Sequence, residues 1–214
     1  MTQLRFPEGL SAIAGDYDSI LCDVWGVIHN GRAIFAEACE ALVKFRAQGG
    51  HVCLITNAPV PKAQAIRYFE PSFDDCVTSG DATRAELKLR SGQSVWRLGG
   101  DEGWEHDRFL YEGLDLKFDD SAHADLLLCI GLRDMYNDQP EEYRDELKEG
   151  VDRGLTMICA NPATDIRGAT RQGFDSLYVG TGLKEHGPDF QNEVTDLLAD
   201  YGENATYAMS GLRW

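Results

Sequence analysis

The chain has 214 residues, and 20 lysines and arginines against 36 aspartates and glutamates leave a net charge of −16. That length accommodates one large domain or a core with a small second domain, either able to bury a real core. So acidic a surface repels phosphate backbones and excludes nucleic acid as a general partner, although a local cation can still serve an anionic ligand.

Residues Met1–Glu8 show no basic stretch followed by an apolar one, and no later run approaches membrane-spanning length. A cytoplasmic location with no membrane partner is expected. The first strong element is Ser19-Ile20-Leu21-Cys22, an apolar run of strand type that reaches Asp23 and breaks at once into a loop punctuated by Gly26 and Gly31. A carboxylate at the end of a buried strand is costly unless a metal or hydrogen-bond donors pair with it. In open α/β sheets that edge is also where ligands bind. Capping of the following turn is the plainer use of Asp23.

Phe35 to Gln48 reads as a helix with the stripe Ala38, Ala41, Leu42 and Phe45, ended by Gly49-Gly50. His51–Thr56 reads as a second buried strand with His51 packed at its start, followed by Asn57-Ala58-Pro59 and a helix over 61–69. This alternation predicts an α/β fold with a parallel sheet and right-handed crossovers. Cys76–Thr78 feeds a helix that Ser79 or Asp81 is placed to cap. Further strands are expected over 94–98, 125–130, 155–160 and 176–179, with helices over 141–153, 165–172 and 189–200 and an irregular tail to Trp214. The six cysteines are scattered with no C-x-x-C pair, and four lie in apolar strand-like runs, where a thiol behaves as a small hydrophobe. Neither disulfides nor zinc are expected. His106 and His123 read as surface residues, and Gly99-Gly100-Asp101 as a turn.

Several ordered motifs carry a resemblance. Asp23-x-x-Gly26-Val27, Thr56-Asn57, Thr78-Ser79-Gly80-x-x-Thr83, Ala160-Asn161-Pro162, Thr164-Asp165-Ile166-x-Gly168-Ala169 and Tyr178-Val179-x-Thr181-Gly182 together resemble the haloacid dehalogenase superfamily, in its class IIA branch, across about residues 17–183. The resemblance implies a Rossmann-like parallel-sheet core from residues 1–80 and 160–214, with an inserted α/β cap over 81–159 that is incomplete at its C-terminal end. It implies hydrolysis of a small phosphorylated metabolite, with Asp23 as nucleophile forming an aspartyl-phosphate. Mg²⁺ would be held by Asp23, the Trp25 carbonyl and Asp165. Thr56, also counted with the catalytic pair, would bind the phosphoryl group with Asn57 and the Trp25–Gly26 loop. The cap would select the substrate, with Trp96 and Trp104 placed to touch it. Homo-oligomer formation is left open.

Two departures bear on turnover. Trp25 stands where phosphatases of this superfamily carry a second aspartate as general acid and base, a role worth ~10²–10⁴ in rate. Such an enzyme is expected to be slow, or to use a substitute such as His29, whose intrinsic pKa suits the task. An aromatic residue here also resembles the dehalogenase branch. Second, the Gly-Lys-Pro motif and the Gly-Asp that opens the fourth motif have no counterpart. The chain runs from Asn161-Pro162 directly into Thr164-Asp165, so a block with the end of the cap, the lysine and a core strand is missing near Pro162–Thr164. Lys184 lies beyond the last motif strand and is a poor replacement. A fold that binds phosphate or metabolite without turnover is the alternative function.

Overall fold

Strand and helix alternate along most of the chain. The computed structural model describes residues 3–66, 72–100, 105–134, 137–160, 165–181 and 186–214. In order these are β1 (Ser19–Asp23), α1 (Ala36–Ala47), β2 (His51–Thr56), α2 (Lys62–Ala65), β3 (Asp75–Thr78), α3 (Ser79–Lys88), β4 (Ser94–Leu98), α4 (Glu105–Tyr111), β5 (Lys117–Phe118), β6 (Leu126–Cys129), α5 (Arg144–Asp152), β7 (Thr156–Cys159), α6 (Asp165–Gln172), β8 (Leu177–Val179), α7 (Phe190–Asp200) and β9 (Tyr207–Met209). The chain forms two compact units. The first gathers Met1–Thr56, Tyr68–Cys76 and Thr164–Trp214, and the second takes Asn57–Arg67 and Val77–Ala163.

In the first unit β1 pairs in parallel with β2, Ser19 opposite His51 through Asp23 opposite Ile55. The sheet order is β1-β2-β3. The apolar stripe of α1 explains its burial, since Ala38, Ala41, Leu42 and Phe45 recur at helical spacing and are all buried, as are Val52 and Leu54 of β2. Each fully buried large side chain of this set contributes about 1.5–3 kcal/mol. A separate parallel pair, β8 with β9, packs on α7 through Val194, Leu198, Ala205 and Ala208.

The second unit holds a four-stranded parallel sheet in the order β5-β4-β6-β7. Leu126 and Leu128 of β6 pack on one face with Leu87 of α3 and Leu110 of α4, while Leu127 packs on the other with Leu98 and Tyr143. A central strand covered on both faces reads as a continuous apolar run, as Leu126-Leu127-Leu128 does.

Several sequence expectations are corrected. The tail is not irregular: Tyr207–Met209 is a buried strand, β9. The helix over 141–153 begins as a 3-10 turn at Pro140–Tyr143 and becomes α-helical at Arg144. Of the helix over 61–69, the described part is the single turn α2. The cap of α3 is neither Ser79 nor Asp81. The Thr78 side chain accepts the Asp81 N–H (2.9 Å), freeing the Asp81 carboxylate to accept the Lys62 N–H (2.9 Å). His51 is exposed rather than packed, 3.4 Å from the Asp74 carboxylate. Among the described residues no helix is long and apolar enough to cross a membrane.

Candidate active site

Asp23 is the last residue of β1, and its register partner Ile55 places Thr56 one residue further along β2. Both side chains therefore sit at the carboxyl ends of adjacent parallel strands, where a sheet opens onto its loops. Thr56 is a buried polar residue, 9% exposed. Asn57 follows directly and opens the first segment of the second unit.

The loop after Asp23 is held by its own backbone. The Val24 carbonyl accepts from Ile28 (3.1 Å) and His29 (3.3 Å), Gly26 N–H donates to the His29 carbonyl (2.6 Å), and Phe35 N–H donates to Ile28 (2.8 Å). Asn30 Oδ1 closes the turn by accepting the Arg32 (3.1 Å) and Ala33 (2.9 Å) N–H groups. Two glycines are required. Gly26 has φ +81°, and Gly31, also at +81°, lies under the Trp25 ring, which a Cβ there would approach to 2.4 Å. The Trp25 ring also meets the His29 ring edge-on, 5.3 Å between centroids. Trp25 thus buttresses the loop by packing.

Electrostatics separate Asp23 from an ordinary cap. Burial, reinforced by the negative charge of Asp165, pushes its carboxyl up to about 6, although Val24 N–H donates to Oδ1 (2.7 Å) and opposes the shift. Asp165, the first residue of α6, is itself raised by desolvation. The fold therefore brings Asp23 and Asp165 within each other's field, and two such carboxylates favour a proton or a cation between them. The Cys22 thiol is pushed upward by burial and then by Asp23, so it stays protonated and is no rival nucleophile.

His29 does not suit the role of substitute acid. Its Nδ1 accepts the Gly31 N–H (2.9 Å), which fixes that nitrogen as unprotonated, and burial lowers the ring's pKa further. Sequence reasoning assigned no role to Thr181, whose Oγ1 donates to the Gly26 carbonyl (2.5 Å) and ties the end of β8 to the Asp23 loop. A separation of 155 residues leaves no local signal for such a contact. Pro162–Thr164, Asn161, Trp104, Gly182 and Lys184 lie outside the described residues.

Residues 20–108 match the family model for haloacid dehalogenase-like hydrolases. A hydrolase of the haloacid dehalogenase-like family from Brucella suis is 32% identical over 93% of this chain and 81% of its own, with a TM-score of 0.62. The chain belongs to the haloacid dehalogenase-like hydrolases. A possible sugar phosphatase of this superfamily from Cytophaga hutchinsonii shares the fold at 15% identity, covering 99% of this chain and 98% of its own, TM-score 0.66. So does a glycerol phosphate phosphatase from Mycobacterium tuberculosis in complex with magnesium, at 18% identity over 93% of this chain and 76% of its own, TM-score 0.53. Among curated proteins none matches. The mixed α/β fold with parallel sheets matches the Rossmann-like core fold of this family, and the Asp23 loop lies in the first unit.

Proposed function

We propose that this hydrolase cleaves a phosphomonoester of a small phosphorylated metabolite through Asp23. The observation that carries the reading is the placement of Asp23 and Thr56 at adjacent strand ends, with the Asp165 charge acting on Asp23. An Asp23 carboxylate oxygen attacks phosphorus, the P–O bond to the leaving alcohol breaks, and an aspartyl-phosphate forms. Water then attacks phosphorus, releasing phosphate and regenerating the carboxylate. Thr56 and the loop N–H groups, with Asn57, donate to the phosphoryl oxygens. With Trp25 at the acid position, the leaving oxygen takes its proton from solvent, so activated aryl phosphates react faster than alkyl ones.

The donor set fits Mg²⁺. Asp23 and Asp165 are two partly desolvated carboxylates, the charge of Asp165 adding to the cost of ionising Asp23, and the Trp25 carbonyl accepts no backbone hydrogen bond among the described residues. Three oxygen ligands suit a hard cation that keeps several waters. When bound, Mg²⁺ supplies positive charge against the carboxylates and the phosphoryl oxygens. The phosphatases that share this fold support a phosphorylated substrate, which the cap selects, and the cytoplasm is the setting this reading fits.

The test is hydrolysis of 4-nitrophenyl phosphate by the full chain, with Mg²⁺ and then with EDTA in excess. The expected result is turnover that falls at least 10²-fold on chelation and returns with Mg²⁺. No turnover under either condition, with the aryl phosphate still bound, would replace this reading with that of a binding protein. Thr181→Val is expected to lower kcat about 3–10-fold by loosening the Asp23 loop, and to cost about 1 kcal/mol of stability, with Thr181→Ser close to wild type. Steady-state kinetics and thermal melts of the three proteins check this.

A further inference from the structure

The cysteines are all free thiols, and the sequence holds no spacing that pairs them. The sheet of the second unit pairs two of them. β6 runs parallel to β7, with Leu126 opposite Thr156, Leu127 opposite Met157, Leu128 opposite Ile158 and Cys129 opposite Cys159. Neighbouring strands lie about 4.8 Å apart, inside the ~4.4–6.8 Å window of Cα separations that a disulfide spans.

Both thiols stand on one face of that sheet. A Cβ on Gly150 of α5 would lie 2.9 Å from the Leu127 side chain and 3.9 Å from the Met157 sulfur, so both of those residues face α5. Strand alternation puts Cys129 and Cys159, two residues further along each strand, on the same face. The backbone fixes this register where the strands end. Ala160 N–H donates to the Cys129 carbonyl (2.8 Å), and the Ser79 hydroxyl donates to the Ala160 carbonyl (2.5 Å).

The two thiols differ in access. β7 ends the sheet, with β6 on one side only, and its last residue Cys159 is exposed. Cys129 is half-buried against the cluster of Leu98, Leu127 and Tyr143. Burial pushes the Cys129 thiol up to about 11, and the neighbouring Cys159 adds to the shift. An exposed thiol can meet an oxidant, while a sheltered one beside it is placed to resolve the product.

We propose that Cys129 and Cys159 are a peroxide-sensitive dithiol that closes to a disulfide across the ends of β6 and β7. The Cys159 thiolate attacks one oxygen of hydrogen peroxide, and the O–O bond breaks. Hydroxide leaves, takes up a proton as water, and Cys159 becomes a sulfenic acid. The Cys129 sulfur then attacks the Cys159 sulfur, forming the S–S bond as the S–O bond breaks. The departing hydroxide carries away the Cys129 proton as a second water. Each sulfur loses one electron, and the peroxide is reduced to two waters. The Cys159 charge that opposes ionisation of Cys129 is gone once the sulfenic acid has formed, so the first step prepares the second. This chemistry is independent of the proposed hydrolysis, and its readouts do not involve turnover.

The test exposes the full chain to excess hydrogen peroxide, blocks the remaining thiols with N-ethylmaleimide, and maps the peptides by mass spectrometry. The expected result is a chain that has lost two hydrogens, with one peptide pair joined through Cys129 and Cys159, and full recovery of free thiols with dithiothreitol. The oxidised protein should melt about 5 °C higher, because the closed loop restrains the unfolded chain. Peroxide-treated Cys129→Ser should show no such rise and should instead hold a sulfenic acid on Cys159 that dimedone traps. Cys159→Ser should keep all its remaining thiols. Circular dichroism of both variants, at half-buried and exposed positions, should match wild type. Thiols that all remain free after peroxide, a disulfide joining any other pair, or two chains linked through Cys159 would overturn the proposal.

Discussion

Asp23→Asn is expected to lower kcat for 4-nitrophenyl phosphate by more than about 10³-fold, because the proposed nucleophile and its covalent route would be lost together. The substitution is nearly isosteric and exchanges a carboxylate for an amide at a site where the carboxylate is already strained by burial and by Asp165. Folding should therefore survive, and the loss should appear in kcat with little change in the affinity for inorganic phosphate. Rapid acid quench of the wild-type protein with a phosphorus-labelled substrate should trap phosphate on the chain, and the same quench of Asp23→Asn should trap none. Equal turnover by the two proteins would remove Asp23 from the chemistry. A wild-type protein that turns over without a trapped phosphate would instead indicate direct attack by water.

On the proposed reading, Trp25 is expected to limit how fast that reaction runs. The ring that occupies the acid position is held by Gly31 beneath it and by His29 beside it, so a rotamer change cannot bring in a proton donor. His29 is committed through Nδ1 to Gly31 N–H, and a third carboxylate beside Asp23 and Asp165 would raise the electrostatic cost of the site. Leaving-group dependence is the kinetic consequence, and it is the property that separates this site from one with a built-in acid.

Much of this was legible in the sequence, for identifiable reasons. β1, α1 and β2 declared themselves because their apolar residues follow the periods of buried strands and of a helix face, and because glycines end them. β9 was missed because Tyr207-Ala208-Met209 is only three residues long and its partner β8 lies some thirty residues upstream, so no local pattern announces a strand. α4 and β5 were missed for a similar reason, as two-residue β5 is defined by its pairing with Ser94 and Val95 and not by its own composition. The cap of α3 was placed one or three residues late because Ser79 and Asp81 are equally good capping types, and only the backbone decides that Thr78 is the residue left outside the helix. Asp23 was found by its position at a strand end, and Asp165 by resemblance alone. The effect of the Asp165 charge on Asp23 and the Thr181 tie depend on tertiary placement, with no sequence spacing to reveal them.

The same field makes Asp23 a measurable element of stability. In the metal-free protein its carboxyl titrates near 6, against an ordinary 3.8, so between those values the folded chain binds a proton that the unfolded chain has released. A raised carboxyl of this kind favours the fold fully below about pH 4, and that contribution is lost as pH rises through about 6. The difference amounts to about 3 kcal/mol at neutral pH, shared with the coupled Asp165. Metal-free Asp23→Asn should then be more stable than wild type at pH 7, by up to ~3 kcal/mol or roughly 5–10 °C in Tm, and the advantage should shrink toward zero at pH 4. Carboxylates held low by hydrogen bonds, such as Asp74 and Asp175, have the opposite pH dependence but are present in both proteins and cancel in the comparison. Millimolar Mg²⁺ should raise the wild-type Tm at pH 7 and leave Asp23→Asn unmoved, because only the wild-type site presents both carboxylates to the ion. A stability difference that stays constant from pH 4 to pH 7 would show that Asp23 is not held out of its ordinary range. A Tm of Asp23→Asn that rises with Mg²⁺ as the wild type's does would place the cation elsewhere on this acidic chain.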